Sequence, residues 1–219
     1  MIIDYYNQVK IFIRKILTLI LYYLFKKITY KDHSLINERF EGYNFEKLDE
    51  YENIYCYSTI SAIINFQKNK QSILDVGCGT APLLRTIDNN KILKYKGIDF
   101  SKLAIKKARK IENKNISFEC TDMLKFNDKD KYDIIVFSES IYYLRDNNQI
   151  EILIEKYDNF LKQNGLIIIS GYFKVDHRII FEKFDRRYVL VDNIYLSRNN
   201  NKMQWFFRIY RKSNPQNIK

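Results

Sequence analysis

Ile73-Leu74-Asp75-Val76-Gly77-Cys78-Gly79-Thr80-Ala81-Pro82 is the stretch on which the fold turns. It reads as a short apolar strand over 73–76, a turn with two glycines, and a helix start with Pro82 in its first turn, giving a short helix over 82–88. Working outward, 94–99 is a second strand. Ser101 caps a helix over 102–112, whose apolar face holds Ala104, Ile105, Ala108 and Ile111. A third strand spans 116–120 and a fourth 132–137. Asp146, with Gln149 three residues later, has the form of a capping box. It opens a helix over 147–163 with Ile150, Leu153, Ile154, Tyr157 and Leu161 in register, and Gly165 is read as its stop. A fifth strand, apolar throughout, covers 166–170. Two further strands, 188–196 and 203–210, flank an Asn-rich turn over 197–202 and form an antiparallel hairpin. Upstream, 44–68 reads as one helix or two, with Leu48, Tyr51, Ile54, Tyr55 and Ser58 spaced for one face. Continuous apolar strands separated by amphipathic helices predict an α/β domain with a parallel sheet covered on both faces.

Glycines lack a side chain, so the Gly77–Gly79 turn is expected to let backbone N–H groups approach a ligand at the strand end. Asp99 ends the next strand, 20 residues past Gly79. A carboxylate there can accept hydrogen bonds from both hydroxyls of a ribose, which points to a nucleoside-containing ligand. The dinucleotide spacing G-x-G-x-x-G fails, because its third glycine position is Pro82.

The pattern instead resembles motif I of class I S-adenosylmethionine-dependent methyltransferases, with Asp75, Gly77 and Gly79 matching and Ala81 replacing the last glycine. That replacement places one methyl group near the cofactor's methionine portion. The resemblance continues in order. Gly97-Ile98-Asp99-Phe100-Ser101 resembles the second-strand motif and Cys120-Thr121-Asp122-Met123 the third. The stretch 132–139, ending Ser138-Glu139, resembles the fourth, and Leu161-Lys162-Gln163-Asn164-Gly165 the turn before the fifth strand. It covers about residues 45–212. Within the family, 138–144 with Tyr51-Glu52 upstream is similar to the small-molecule N-methyltransferases that act on nodulation-factor amino sugars.

The resemblance implies a Rossmann-like doubly wound, seven-stranded sheet in the order 3-2-1-4-5-7-6, mostly parallel with an antiparallel C-terminal hairpin strand, plus N-terminal helices. It implies S-adenosyl-L-methionine as cofactor, held by Asp75, Gly77, Gly79, Asp99, Phe100, Asp122, Met123 and Ser138. Asp99 would take the ribose, Asp122 the adenine amino group, and Met123 the ring. Glu139 and His177 are the candidate catalytic residues, and Tyr51, Tyr142 and Tyr143 the candidate acceptor pocket. Plainer roles compete for each. His177 would then be a surface histidine, Asp75 and Asp133 turn residues, Asp99 and Asp122 solvated loop acids, and any of the 18 tyrosines a packing residue.

The chain has 219 residues and a formal charge of +11, enough length for one domain. The charge divides as +4 over 1–40, −2 over 41–70, +3 over 71–150 and +6 over 151–219. Lys outnumbers Arg 26 to 11 and no basic run exceeds two, so the excess argues weakly for nucleic acid and equally for an anionic surface or substrate. Three cysteines without a CxxC spacing and two distant histidines suggest a reducing, cytoplasmic compartment with no disulfide or metal site. Residues 1–30 read as an amphipathic helix, which would place Asn7, Lys10, Arg14 and Thr18 on one polar stripe. It suits docking on the domain, a second subunit or the cytoplasmic membrane face, and its ten-residue apolar run is too short to span a bilayer. Segment 31–70 is then a helical cap or lid, 71–212 the core and 213–219 a tail. The function expected is methylation of a small molecule or a glycan or lipid precursor. An RNA methyltransferase and a non-catalytic cofactor-fold scaffold are the alternatives.

Overall fold

A computed structural model describes residues 51–144, 146–172, 177–197 and 204–212, the side chains of Tyr51 and Glu52 excepted. The helix expected over 1–30, the first part of the 31–70 segment, the turn beyond Ser197 and the tail over 213–219 lie outside these residues. Seven strands form one sheet in the order β3-β2-β1-β4-β5-β7-β6. They are β1 (Gln71–Val76), β2 (Ile92–Asp99), β3 (Ile116–Cys120), β4 (Tyr132–Ser138), β5 (Leu161–Tyr172), β6 (Val189–Ser197) and β7 (Gln204–Arg211). The first five are parallel, and β7 runs antiparallel to both β5 and β6.

Alternation along the central strands divides the core into two layers. Leu74, Val76, Ile135, Phe137, Ile167 and Ile169 face one side, with α3 (Asn147–Phe160) and α4 (Arg178–Arg187) packed there through Leu153, Tyr157, Ile180 and Phe184. Ile73, Ile134, Val136 and Ile168 face the other, against α1 (Tyr51–Asn65) and α2 (Lys102–Ala108). Ser101 caps α2 by accepting the Ala104 N–H, and Asp146 caps α3 by accepting the Asn148 N–H. Among the described residues, no helix is long and apolar enough to cross a membrane.

Four local expectations are corrected. The buried face of α1 is Cys56, Ile60 and Ile64, while Ile54 is exposed, because the residues that meet the sheet recur four apart from Cys56 and not from Ile54. The segment after Pro82 forms one 3-10 turn, Pro82–Arg85, and α2 ends at Ala108 in a second, Arg109–Ile111. α3 stops at Phe160, ahead of Gly165, and the left-handed residue in the stretch that follows is Asn164, at φ 63°. Gly165 is required by space: a Cβ there would lie 2.7 Å from Leu161 Cδ1 and 2.8 Å from the Lys162 carbonyl. Asp133 is a clamp in β4, not a turn residue. Its Oδ2 accepts the Ser72 N–H at 2.8 Å and Lys162 Nζ at 2.9 Å, joining the starts of three strands.

Gly97 sits mid-sheet, paired with Asp75 on one side and Phe118 on the other. A Cβ there would meet Phe118 Cδ1 at 2.6 Å and Cys78 Sγ at 2.8 Å. Gly97→Ala should therefore overpack the strand below the glycine turn and cost about 1–3 kcal/mol. An unchanged urea midpoint would show that this contact does not constrain the sheet.

Candidate active site

The sheet reverses direction of growth between β1 and β4, the place where open α/β sheets leave a crevice at their carboxyl ends. Three residues at the end of β1 have left-handed backbones: Gly77 at φ 79°, Gly79 at φ 55° and Ala81 at φ 62°. The amides of this turn serve the protein itself. Gly77 and Cys78 N–H donate to the Ile98 carbonyl at 2.8 and 3.0 Å, and Gly79 N–H donates to Asp99 Oδ2 at 3.0 Å. The glycines therefore fold the loop back onto β2, and the amides expected to face a ligand are spent in holding it there. Ala81 is fully buried among core residues, so its methyl group is core and not a neighbour of a ligand.

Asp99 stands at the tip of β2. Its Oδ1 accepts the Ser101 N–H at 2.8 Å, so two backbone amides fix the carboxylate, and burial pushes its pKa up. Phe100 follows, and its carbonyl accepts the Cys120 thiol at 3.5 Å. Thr121 N–H donates to the Asp99 carbonyl at 2.9 Å, tying the end of β3 to that of β2. Asp122 orders the next turn by accepting the Leu124 N–H at 2.7 Å. Met123 packs on the core, and its carbonyl accepts the Tyr157 hydroxyl. Asp99, Phe100, Asp122 and Met123 thus come together along two adjacent strand ends. Asp75 is not a turn residue. It lies within β1, 2% exposed, with Oδ2 accepting the Tyr95 hydroxyl and Oδ1 buried without a hydrogen-bond partner. Burial is the main cause that lifts its pKa to about 7, against the Tyr95 hydrogen bond and with the Asp99 charge.

The other half of the crevice is built on β4 and β5. Ser140 Oγ donates to the Val76 carbonyl at 2.6 Å, and a Cβ on Gly77 would lie 2.4 Å from Ser140 Cβ. Next to it, Glu139 has a left-handed backbone at φ 52° and donates its N–H to the Ser170 carbonyl at 3.2 Å. Glu139 Oε2 accepts the Tyr142 hydroxyl at 3.3 Å, and Oε1 is buried without a partner. Burial raises its pKa to about 7, while hydrogen bonds from the Tyr142 hydroxyl and the Tyr172 backbone oppose this. Ser138 and Ser170 hydroxyls lie 3.3 Å apart, and Cys56 of α1 donates to Ser170 Oγ at 3.5 Å. Burial first, and then the Glu139 charge, push the Cys56 thiol up to about 12, so it stays protonated.

His177 is 5% exposed, which rules out a surface histidine. Its Nε2 lies 3.2 Å from the Tyr172 carbonyl, and its ring packs 4.5 Å from Phe206 and 5.6 Å from Tyr142 between centroids. Tyr142 therefore touches both candidate catalytic residues. Tyr143 is half exposed, with its ring 4.9 Å from that of Tyr142. The side chain of Tyr51 lies outside the described residues. Tyr95, Ser140, Cys56 and Ser170 belong to the site and were missed. Tyr95 carries no motif, Ser140 lies within 138–144 but has no role assigned by it, and the Cys56 face of α1 is misread from the sequence. Among the described residues, no three His, Cys, Asp or Glu side chains are grouped to hold a metal ion.

Fold and site together define a class I methyltransferase domain, whose cofactor is S-adenosylmethionine. These residues fit that group: a doubly anchored carboxylate at the tip of β2, and two buried carboxylates, each with one oxygen unpaired, suited to a cationic ligand. Residues 67–213 match a family described as a methyltransferase domain, and the chain belongs to that family. It is 31% identical over 122 residues to the carboxy-S-adenosyl-L-methionine synthase of Helicobacter hepaticus, covering 53% of this chain and 50% of that protein. It is 25% identical over 145 residues to the malonyl-[acyl-carrier protein] O-methyltransferase of Bacillus anthracis, covering 63% and 53%. The chain thus spans about half the length of these curated relatives. In fold it is similar to the N-methyltransferase NodS of Bradyrhizobium japonicum, solved with S-adenosylhomocysteine, at TM-score 0.66 and 18% identity over 77% of this chain and 91% of that one. It is also similar to 1,6-didemethyltoxoflavin-N1-methyltransferase of Burkholderia thailandensis, at TM-score 0.66 and 12% identity over 83% and 88%.

Asp75 and Glu139 hold protons near neutrality that the unfolded chain releases near the ordinary carboxylate range. Their folded pKa values are raised, so they favour the fold at acid pH, and this contribution fades as pH rises from about 4 to about 7. Glu139→Gln should lose less stability than the parent between pH 5 and pH 7.5 in urea unfolding. Equal losses would mean that Glu139 ionises normally in the folded chain.

Proposed function

We propose that this protein transfers a methyl group from S-adenosylmethionine to a small-molecule acceptor bound over the carboxyl ends of β1, β4 and β5. The observation that carries this reading is Asp99, held by the amides of Gly79 and Ser101 beside the left-handed glycine turn. An acceptor-only carboxylate fixed in this way suits a vicinal diol. When bound, the cofactor supplies a methyl group activated by the sulfonium charge. The protein's work is then mainly alignment and exclusion of water. Asp99 orients the ribose, Asp122 and Met123 border the base, and Glu139 presents its carboxylate where β4 ends. Two of the similar structures are of N-methyltransferases, one solved with bound 1,6-didemethyltoxoflavin, which supports a small-molecule acceptor.

The charge excess does not favour a nucleic-acid substrate over this reading. Lys outnumbers Arg 26 to 11 and no basic run in the sequence exceeds two residues. Calorimetry with S-adenosylhomocysteine tests the proposal. Binding is expected in the micromolar range or tighter, and Asp99→Ala should weaken it at least about tenfold, the scale of a lost charge-assisted hydrogen bond. No heat of binding at several hundred micromolar ligand would refute a cofactor site in this crevice.

A further inference from the structure

We propose that the outer face of α2, with the turn that follows it, docks on an anionic lipid leaflet. The inference is independent of the methyl-transfer reading. Residues 102–114 carry six basic side chains, Lys102, Lys106, Lys107, Arg109, Lys110 and Lys114, against one acidic one, Glu112. Their placement follows from how α2 packs. Ala104, Ile105 and Ala108 recur three and four apart and are buried against the sheet. Lys102, Lys106 and Lys110 recur four apart on the other side and are exposed, with Lys107 and Arg109 exposed beside them. Like charges at this spacing repel and destabilise a helix. Among the described residues, no ion pair engages Lys102, Lys106, Lys110 or Lys114. Glu112 lies 4.0 Å from Arg109, and its Oε1 accepts the Phe118 N–H at 2.8 Å, so it serves β3.

The opposite layer of the domain is arranged differently. There Lys183 of α4 pairs with Glu151 of α3, Arg187 with Asp158 at 3.0 Å, and Arg208 of β7 with Asp185 at 2.9 Å. The cations of that layer find their counter-charges within the protein, whereas those of α2 face outward. A merely solvated lysine face has no use for exposed aliphatic groups, yet Leu103 is 38% exposed among these lysines and Ile111 is 45% exposed just beyond α2. Lysines around exposed aliphatic side chains suit a helix lying in a bilayer interface. The ammonium groups stay with the headgroups while the aliphatic carbons enter the acyl boundary. Nucleic acid fits less well. Residues 102–114 contain no aromatic side chain to stack on a base, and the one arginine, Arg109, is engaged by Glu112 and by the Phe118 carbonyl. The Ser101 N–H that donates to Asp99 belongs to the cap of α2, so the docking face begins beside the crevice, and none of its lysines helps to form it.

The test is sedimentation of the full chain with phosphatidylcholine vesicles, either pure or containing about one third phosphatidylserine. The chain is expected to bind the mixed vesicles at low salt, to bind the pure ones about tenfold or more weakly, and to leave the mixed ones as salt rises. Each lysine near an anionic leaflet is worth roughly fivefold in affinity, so Lys102→Gln, Lys106→Gln and Lys110→Gln combined should weaken binding about a hundredfold. Leu103→Ala should weaken it about threefold and leave the salt dependence unchanged. The triple variant should keep the parent's thermal midpoint. If its midpoint falls, Lys106→Gln alone carries the test, with binding about fivefold weaker expected and unchanged binding overturning the proposal. All variants retain residues 1–50, so a folded triple variant that binds as the parent does would place the contact elsewhere and overturn it. Equal binding of the parent to both vesicles, or to neither, would overturn it as well. An RNA oligonucleotide bound through these lysines, with no vesicle binding by the parent, would assign the face to nucleic acid instead.

Discussion

Where the neighbouring strands β1 and β4 end, Ser140 donates its hydroxyl proton to the Val76 carbonyl and presses its Cβ into the space where a side chain on Gly77 would begin. This contact fixes the relation between the two halves of the crevice. On one side, the turn from Gly77 to Gly79 gives its amides to Ile98 and Asp99 and so locks the ends of β1 and β2 together. On the other, Glu139 is held by its neighbour Ser140 and by the Ser170 carbonyl. A larger residue at position 77 would force the loop after β4 away and open the crevice from the middle. The glycine is thus demanded twice, by its φ of 79° and by the packing of Ser140.

The chemistry follows from how carboxylates are distributed around that contact. Asp99 is held by two amide donors, so its carboxyl is fixed in orientation for further hydroxyls, although burial pushes its pKa up. Asp75 and Glu139 are buried with one oxygen each left over, and both have pKa values raised to about 7. Such groups are about half protonated near pH 7, and a bound cation draws out the remaining protons. A crevice with one supported and two unsupported carboxylates is matched to a ligand that brings both hydroxyls and positive charge.

Much of this was legible in the sequence, and the reasons are local. The strand positions followed from continuous apolar runs, and the sheet order from the family resemblance that motifs at the strand ends carry. Capping by Ser101 and Asp146 was readable because caps depend on neighbours within three residues. What failed depended on tertiary contacts. The buried face of α1 is chosen by the sheet and is misjudged from Ile54 and Tyr55. Gly165 looked like a helix stop, yet Asn164 takes the left-handed backbone and Gly165 answers a packing demand from Leu161. The amides of the glycine turn looked available and are used internally. Cys56 and Ser170 reach the site from 114 residues apart, which no spacing rule connects. His177 was placed near the acceptor by chain order, and only its burial between Phe206 and Tyr142 shows what it touches.

In the proposed arrangement the nucleoside lies across the ends of β1, β2 and β3 with its charged end toward β4. Amide chemical shifts of the isotope-labelled chain, recorded as S-adenosylhomocysteine is added, test this most directly. The account predicts the largest shifts at Gly79, at 99–101, at 121–123 and at 138–142, with β6 and β7 little changed. Saturable shifts centred on the β6–β7 hairpin, with 99–101 unmoved, would contradict it.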